Sequence, residues 1–166
     1  MAYAVVRTDK MIGTDVRSEL VSVRYQPSGT KTEIQNGNVV KLGDLETGSR
    51  EIYKGATPTA DDDLTAIVLV ASPEVMYDER KRNLDEFINE KGAIARGYRL
   101  HKHDIFSVTK DALDGVATPA VGNVVELKAG TKLNVAATAT QGSTQVGKII
   151  DVNIVGRYTY YVIEVA

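Results

Sequence analysis

The chain has 166 residues, 20 basic against 22 acidic side chains for a formal charge of −2, 43% hydrophobic residues and no cysteine. That is one domain's length of chain, long enough to bury a core without a covalent staple. The missing cysteines exclude disulfide frameworks, cysteine-ligated metals and cysteine nucleophiles, and the near-neutral charge lacks the positive excess of a dedicated nucleic-acid binder.

In chain order, short apolar groups are separated by Gly, Asn, Asp, Ser and Pro, a spacing that favours strands and turns. Strands are expected at Tyr3–Arg7, Glu19–Tyr25, Asn38–Leu42, Glu51–Lys54, Leu64–Ala71, Ile94–Leu100, Ile105–Thr109, Asn123–Leu127, Lys132–Ala137, Val146–Val155 and Tyr158–Val165. Thr65–Ala71 (TAIVLVA) is apolar on both faces, so it predicts a central strand covered on both sides. Gly156-Arg157 between the last two runs predicts a hairpin. One stretch departs from this period. In Asp78–Lys91, Leu84, Phe87 and Ile88 follow helical spacing between an N-capping Asp78 and a following Gly92, predicting an amphipathic helix. Pro27-Ser28-Gly29 marks a break, and residues 1–35 are expected as an N-terminal docking arm on a β-rich body of residues 36–166. The fold class is thus mainly β: a compact barrel or sandwich-like body with one short amphipathic helix and an extended arm.

Chemistry finds little footing. Gly142–Ile149 (GSTQVGKI) resembles a phosphate loop, but Ile149 stands where the magnesium-binding hydroxyl belongs and a strand follows instead of a helix. A Gly-rich turn is the expected reading, with no nucleotide. His101 and His103 would share one face of a strand, yet no third ligand is nominated, so no metal is expected. Asp61-Asp62-Asp63 lacks the alternate spacing and bend glycine of a calcium loop and reads as an exposed acidic loop. Lys91–His103 carries Lys91, Arg96, Arg99 and Lys102 with no acid, the best candidate for a charged contact surface. The longest apolar run is strand-sized, and the opening MAYAVVRTDK lacks a signal peptide's apolar core, so no membrane partner is expected and synthesis in a reducing cytoplasm is.

The wording of Asn36–Gly43 (NGNVVKLG), Gly48–Tyr53 (GSREIY), Ala71–Glu79 (ASPEVMYDE) and Phe87–Leu113 (FINEKGAIARGYRLHKHDIFSVTKDAL) resembles proteins encoded beside the major capsid protein of tailed bacteriophages. These are decoration or cement proteins: small β-rich head proteins that attach to the outside of the shell and brace neighbouring capsid subunits. The resemblance covers about residues 36–114. It implies a non-enzymatic virion protein on the outer capsid surface, assembled in the bacterial cytoplasm. No catalytic, cofactor or metal residues are implied. The partners it implies are the major capsid protein and further copies of itself, expected as a trimer. The expected capsid contacts are Tyr3, Val5 and Arg7 on one face of an arm strand, added to a partner's sheet edge, with Arg96 and Arg99 of the basic run. The alternatives are another head or tail component, a glycan- or small-ligand-binding β domain, or a hydrolase on a β scaffold, whose acids or histidines would have to converge in a pocket.

Overall fold

The computed structural model describes residues 2–166. Its strands form two units. The first is a closed five-stranded barrel of β2 (Leu20–Tyr25), β3 (Val39–Leu45), β4 (Ile52–Ala56), β5 (Ile67–Val70) and β6 (Ala95–Arg99), in the order β2-β4-β3-β5-β6. The second is a seven-stranded sheet built from β1 (Val6–Lys10), β7 (Ile105–Val108), β8 (Leu113–Gly115), β9 (Val124–Glu126), β10 (Leu133–Ala136), β11 (Gln145–Val155) and β12 (Tyr158–Val165). Its order is β1-β7-β12-β11-β9-β10-β8. Pairing is antiparallel except for β2 with β4 and β8 with β10. The barrel is therefore inserted between β1 and β7, which pair with each other.

Side-chain alternation divides the core. Inside the barrel lie Val21, Val23, Val40, Val68, Val70 and Ala95. The space is so small that two interior positions hold no side chain. A Cβ at Gly97 would sit 2.9 Å from both Val21 Cγ2 and Val68 Cγ2, and one at Gly55 would sit 2.8 Å from Val23 Cγ2. The barrel's outward residues Val39, Ile67, Leu69 and Tyr98 join Phe106, Val125, Leu133, Ile149 and Ile163 of the sheet in one larger core. β5 serves both cores and is buried along its whole length, as its unbroken apolar run predicts.

The mainly β reading holds, and each of the eleven expected strands overlaps an observed one. Expectations about the helix, the arm and Val5 need correction. The helix over Asp78–Lys91 does not form: the stretch contains one 3-10 turn, Leu84–Glu86, and Leu84 is exposed. Three apolar residues are too short a face to stabilise a helix of that length by packing, and nucleation is costly without it. Asp78 caps a local turn through Arg80 N–H instead, and Asn89 is drawn into a bridge with Ile34. Among the described residues the one α-helix is α1 (Ile12–Asp15), a single turn.

The division into a 1–35 arm and a 36–166 body is not how the chain is built. β1 pairs with β7, β2 is a barrel stave between β4 and β6, and Val21 and Val23 fill the barrel. The Pro27-Ser28-Gly29 break is a 3-10 turn within the body. Val5, expected on an arm's docking face, is buried with Ala4 and Val6. Its N–H donates to Thr109 Oγ1 and its carbonyl accepts from Thr109 N–H. An apolar strand this short gains most by entering the core.

Candidate functional site

β5 and β6 are joined by a long excursion, residues 72–94, that leaves the barrel and returns to it. Its two ends are fastened by a buried amide cluster. Asn36 Oδ1 accepts from Ser72 N–H at 3.0 Å and from Asn89 Nδ2 at 3.1 Å, while Asn36 Nδ2 donates to the Ser72 carbonyl at 2.9 Å. Asn89 Nδ2 also donates to the Ile34 carbonyl, and Ser72 Oγ accepts from Arg96 N–H. The middle of this strap is tied at Asp85. That carboxylate accepts from Arg157 Nη2 at 2.9 Å and Tyr158 Oη at 3.1 Å, and the Asp85 carbonyl accepts from Tyr3 N–H at 2.8 Å. Every buried amide and carboxylate here thus has partners, as burial requires.

Between the strap and staves β2 and β6 runs an open groove of about 1270 Å³. Its apolar lining includes Tyr53, Val75, Tyr77, Phe87 and Ile94. Tyr77 is 96% exposed and Val75 60%, although both stand on a backbone tied at three places. Arg17, Lys81, Arg96 and Arg99 also line the groove, and none has a carboxylate within ion-pair distance among the described residues. Two of the strap's acids that line the groove are occupied locally. Asp78 pairs with Arg80, and Glu86 accepts from the backbone N–H groups of Asn83 and Arg82, which hold its carboxyl below the usual range. Glu51 and Glu90 remain, so free positive charge in the lining outnumbers negative.

Of the residues singled out in the sequence, Arg96 and Arg99 reach this groove together. Tyr3, Val5 and Arg7 do not. Tyr3 is half-buried, its N–H held by the strap, and Val5 is interior. The Arg7 guanidinium carbon stacks 4.0 Å from the centre of the Tyr160 ring. Arg17, Tyr77 and the strap were not nominated. They come from two separate segments, and only the run of bases around Arg96 left a mark in the sequence.

The remaining constellations are structural. His101 and His103 lie in a turn, not on a strand, with His103 in the left-handed region at φ 73°; they face different acids, Glu19 and Glu164. No cluster of three or more metal-ligating side chains occurs among the described residues. Within the acidic run Asp62 is buried, contrary to the exposed loop expected. Burial pushes its carboxyl up, but Lys41 and Thr59 outweigh that and leave it below the ordinary value. Asp63 caps the turn at Thr65. Glu126, fully buried, is likewise pushed up by burial and brought below the ordinary value by the Thr140 hydroxyl, Thr140 N–H and Asn134. Gly142–Ile149 turns directly into β11.

No protein-family model, curated protein or solved structure matches this chain. The site must speak through its own chemistry. An exposed tyrosine and arginines without ion-pair partners among the described residues line one groove, and Tyr and Arg are the residue types that carry much of the affinity where proteins bind one another.

Proposed function

We propose that the protein is a non-enzymatic structural component of a tailed-bacteriophage virion. It binds the outer face of the capsid and bridges neighbouring major capsid subunits, with the strap groove as its principal contact. The observation that carries the reading is the groove itself: Arg17, Arg96 and Arg99 without ion-pair partners among the described residues, in one lining with exposed Tyr77 and Val75. An extended acidic segment of a capsid subunit complements it, with its carboxylates on the arginines and its apolar residues on the tyrosine. The wording of residues 36–114, which includes the whole strap and β6, supports the same reading. Each contact can be weak, because repetition over a shell multiplies it.

The test is co-sedimentation of the purified protein with empty capsids of the phage that encodes it. Wild type is expected to bind. Arg96→Glu and Tyr77→Ala are each expected to weaken binding by roughly tenfold or more, as hot-spot losses do, with melting temperature unchanged. A wild type that fails to bind capsids refutes the function. A wild type that binds while both variants bind equally well refutes the groove as the contact.

A further inference from the structure

The β11–β12 hairpin extends past the rest of its sheet. β9 pairs with β11 only as far as Lys148, and the loop at Gly122–Asn123 closes the ladder at Ile149. From Ile150 to Val155, β11 has β12 on one side and no strand among the described residues on the other, and all six residues are exposed. No hydrogen bond outside the hairpin involves this segment among the described residues. The strap reaches the hairpin at Arg157 in the turn and at Tyr158 on the β12 limb, and so leaves the β11 edge open.

This edge is unprotected in a way the others are not. Edge strands in native proteins are blunted by charge, irregularity or shortness, because an open row of N–H and C=O groups recruits another strand. β1 carries Arg7, Asp9 and Lys10 and an irregular register between Arg7 and Lys10; β8 is three residues long. The 150–155 segment (IDVNIV) has one charge, no proline and four exposed apolar side chains, Ile150, Val152, Ile154 and Val155. Its only irregularity lies at its base, between Ile149 and Asp151.

We infer that this edge pairs with the same edge of a second copy, antiparallel about a two-fold axis through Val152. The backbone selects the parity. Gly156-Arg157 forms a two-residue turn, Gly156 having φ +61°, and the closing pair Val155–Tyr158 of such a turn exchanges its hydrogen bonds within the hairpin. Alternation then leaves the N–H and C=O of Val152 and Ile154 facing outward. Side chains select the register. With Val152 opposite its own copy, Asp151 lies opposite Asn153, whose amide can donate to it, and Ile154 reaches Ile150. Sliding one way sets Asp151 against Asp151, and like charges directly opposite are destabilising. Sliding the other way sets Asn153 against Asn153 and leaves Asp151 facing Val155. A partner of the same sequence thus satisfies the single charge and covers the apolar row Ile150, Val152 and Ile154. Two-fold pairing also closes on itself and does not propagate into a fibre. This contact is distinct from the capsid-binding groove and gives two-fold association, in place of the trimer that the resemblance suggests.

The absence of cysteine makes the test direct. Purified full-length protein is expected to show a concentration-dependent monomer–dimer equilibrium in analytical ultracentrifugation. Ile154→Lys should raise the dimer dissociation constant by about tenfold or more. At concentrations where both proteins are monomeric its melting temperature should match wild type, since Ile154 is 74% exposed. Val152→Cys should form a disulfide-linked dimer under mild oxidation, because directly opposed strand residues lie within disulfide reach. Asn153→Cys, offset from its copy, should not. A protein that remains monomeric up to about millimolar concentration, the limit of weak association, overturns the proposal. So does a dimer indifferent to Ile154→Lys, and so does cross-linking through Asn153→Cys in preference to Val152→Cys.

Discussion

Adding one methyl group at Gly97 tests whether the barrel interior is filled as described. The new Cβ would meet Val21 Cγ2 and Val68 Cγ2 at 2.9 Å and Val68 Cβ at 3.2 Å, so two staves must move apart. Overpacking of this kind costs about 1–3 kcal/mol. Replacing glycine also narrows the unfolded ensemble, which offsets about 0.4–1 kcal/mol. The net loss for Gly97→Ala is therefore about 1–2 kcal/mol, or a fall in melting temperature of roughly 3–6 °C for a chain of this size. Urea titration and calorimetry would measure it. Val68→Ala, which opens space inside the barrel, should cost about 2 kcal/mol alone. In Gly97→Ala/Val68→Ala the new methyl occupies part of that space, so the combined loss should fall short of the sum by about 1 kcal/mol. A cost below about 0.5 kcal/mol for Gly97→Ala, or full additivity in the double variant, would refute the filled barrel.

Asp85→Ala removes the strap's acceptor for Arg157 and Tyr158. Because the Arg157 side chain is 58% exposed, the loss should be only about 1 kcal/mol and local. Amide exchange in residues 76–87 should then speed up several-fold with little change in global melting; unchanged exchange would show that the strap is held elsewhere. Glu126 and Asp62 are both held below their ordinary values of 4.5 and 3.8, so the stability they contribute is present above those values and is lost as pH falls through the depressed folded values. Urea midpoints should accordingly drop below about pH 4.5, and Glu126→Gln should make that drop shallower; an identical pH profile would refute the Glu126 contribution. A truncation starting at Gln26 removes β1 and β2 and should abolish cooperative unfolding, whereas a truncated protein that still melts cooperatively would restore the arm.

Much of the β architecture was legible because its signal is local. Alternation in Leu20–Tyr25 and the unbroken apolar run around Ile67–Val70 each report their own burial. β8 was missed because three residues carry no period, and its partner β10 lies about twenty residues on. The helix over Asp78–Lys91 was misread because the i, i+3, i+4 spacing of Leu84, Phe87 and Ile88 fits a helix, while Asn36 and Asp85 bind the strap through partners distant in sequence. The groove was half visible for the same reason. Arg96 and Arg99 stand in one basic run, but Arg17 and Tyr77 meet them only once the barrel has closed. Nothing local marks Glu126 as buried, because its partners Asn134 and Thr140 lie 8 and 14 residues further on.

The insertion of the barrel between β1 and β7 sets an order of events on the ribosome. Val6 must wait for Val108, 102 positions later, before its ladder can form. At about 5–20 residues per second that delay is roughly 5–20 s, ample time for β2 through β6 to emerge and close, since hairpins form in microseconds. The apolar Ala4-Val5-Val6 segment therefore passes the whole synthesis of the barrel without its final partner, kept soluble by Arg7, Asp9 and Lys10 beside it. A strand made before the barrel is placed after it. The same three charges that blunt β1 as a finished edge act earlier as its guard against aggregation while the chain is still growing.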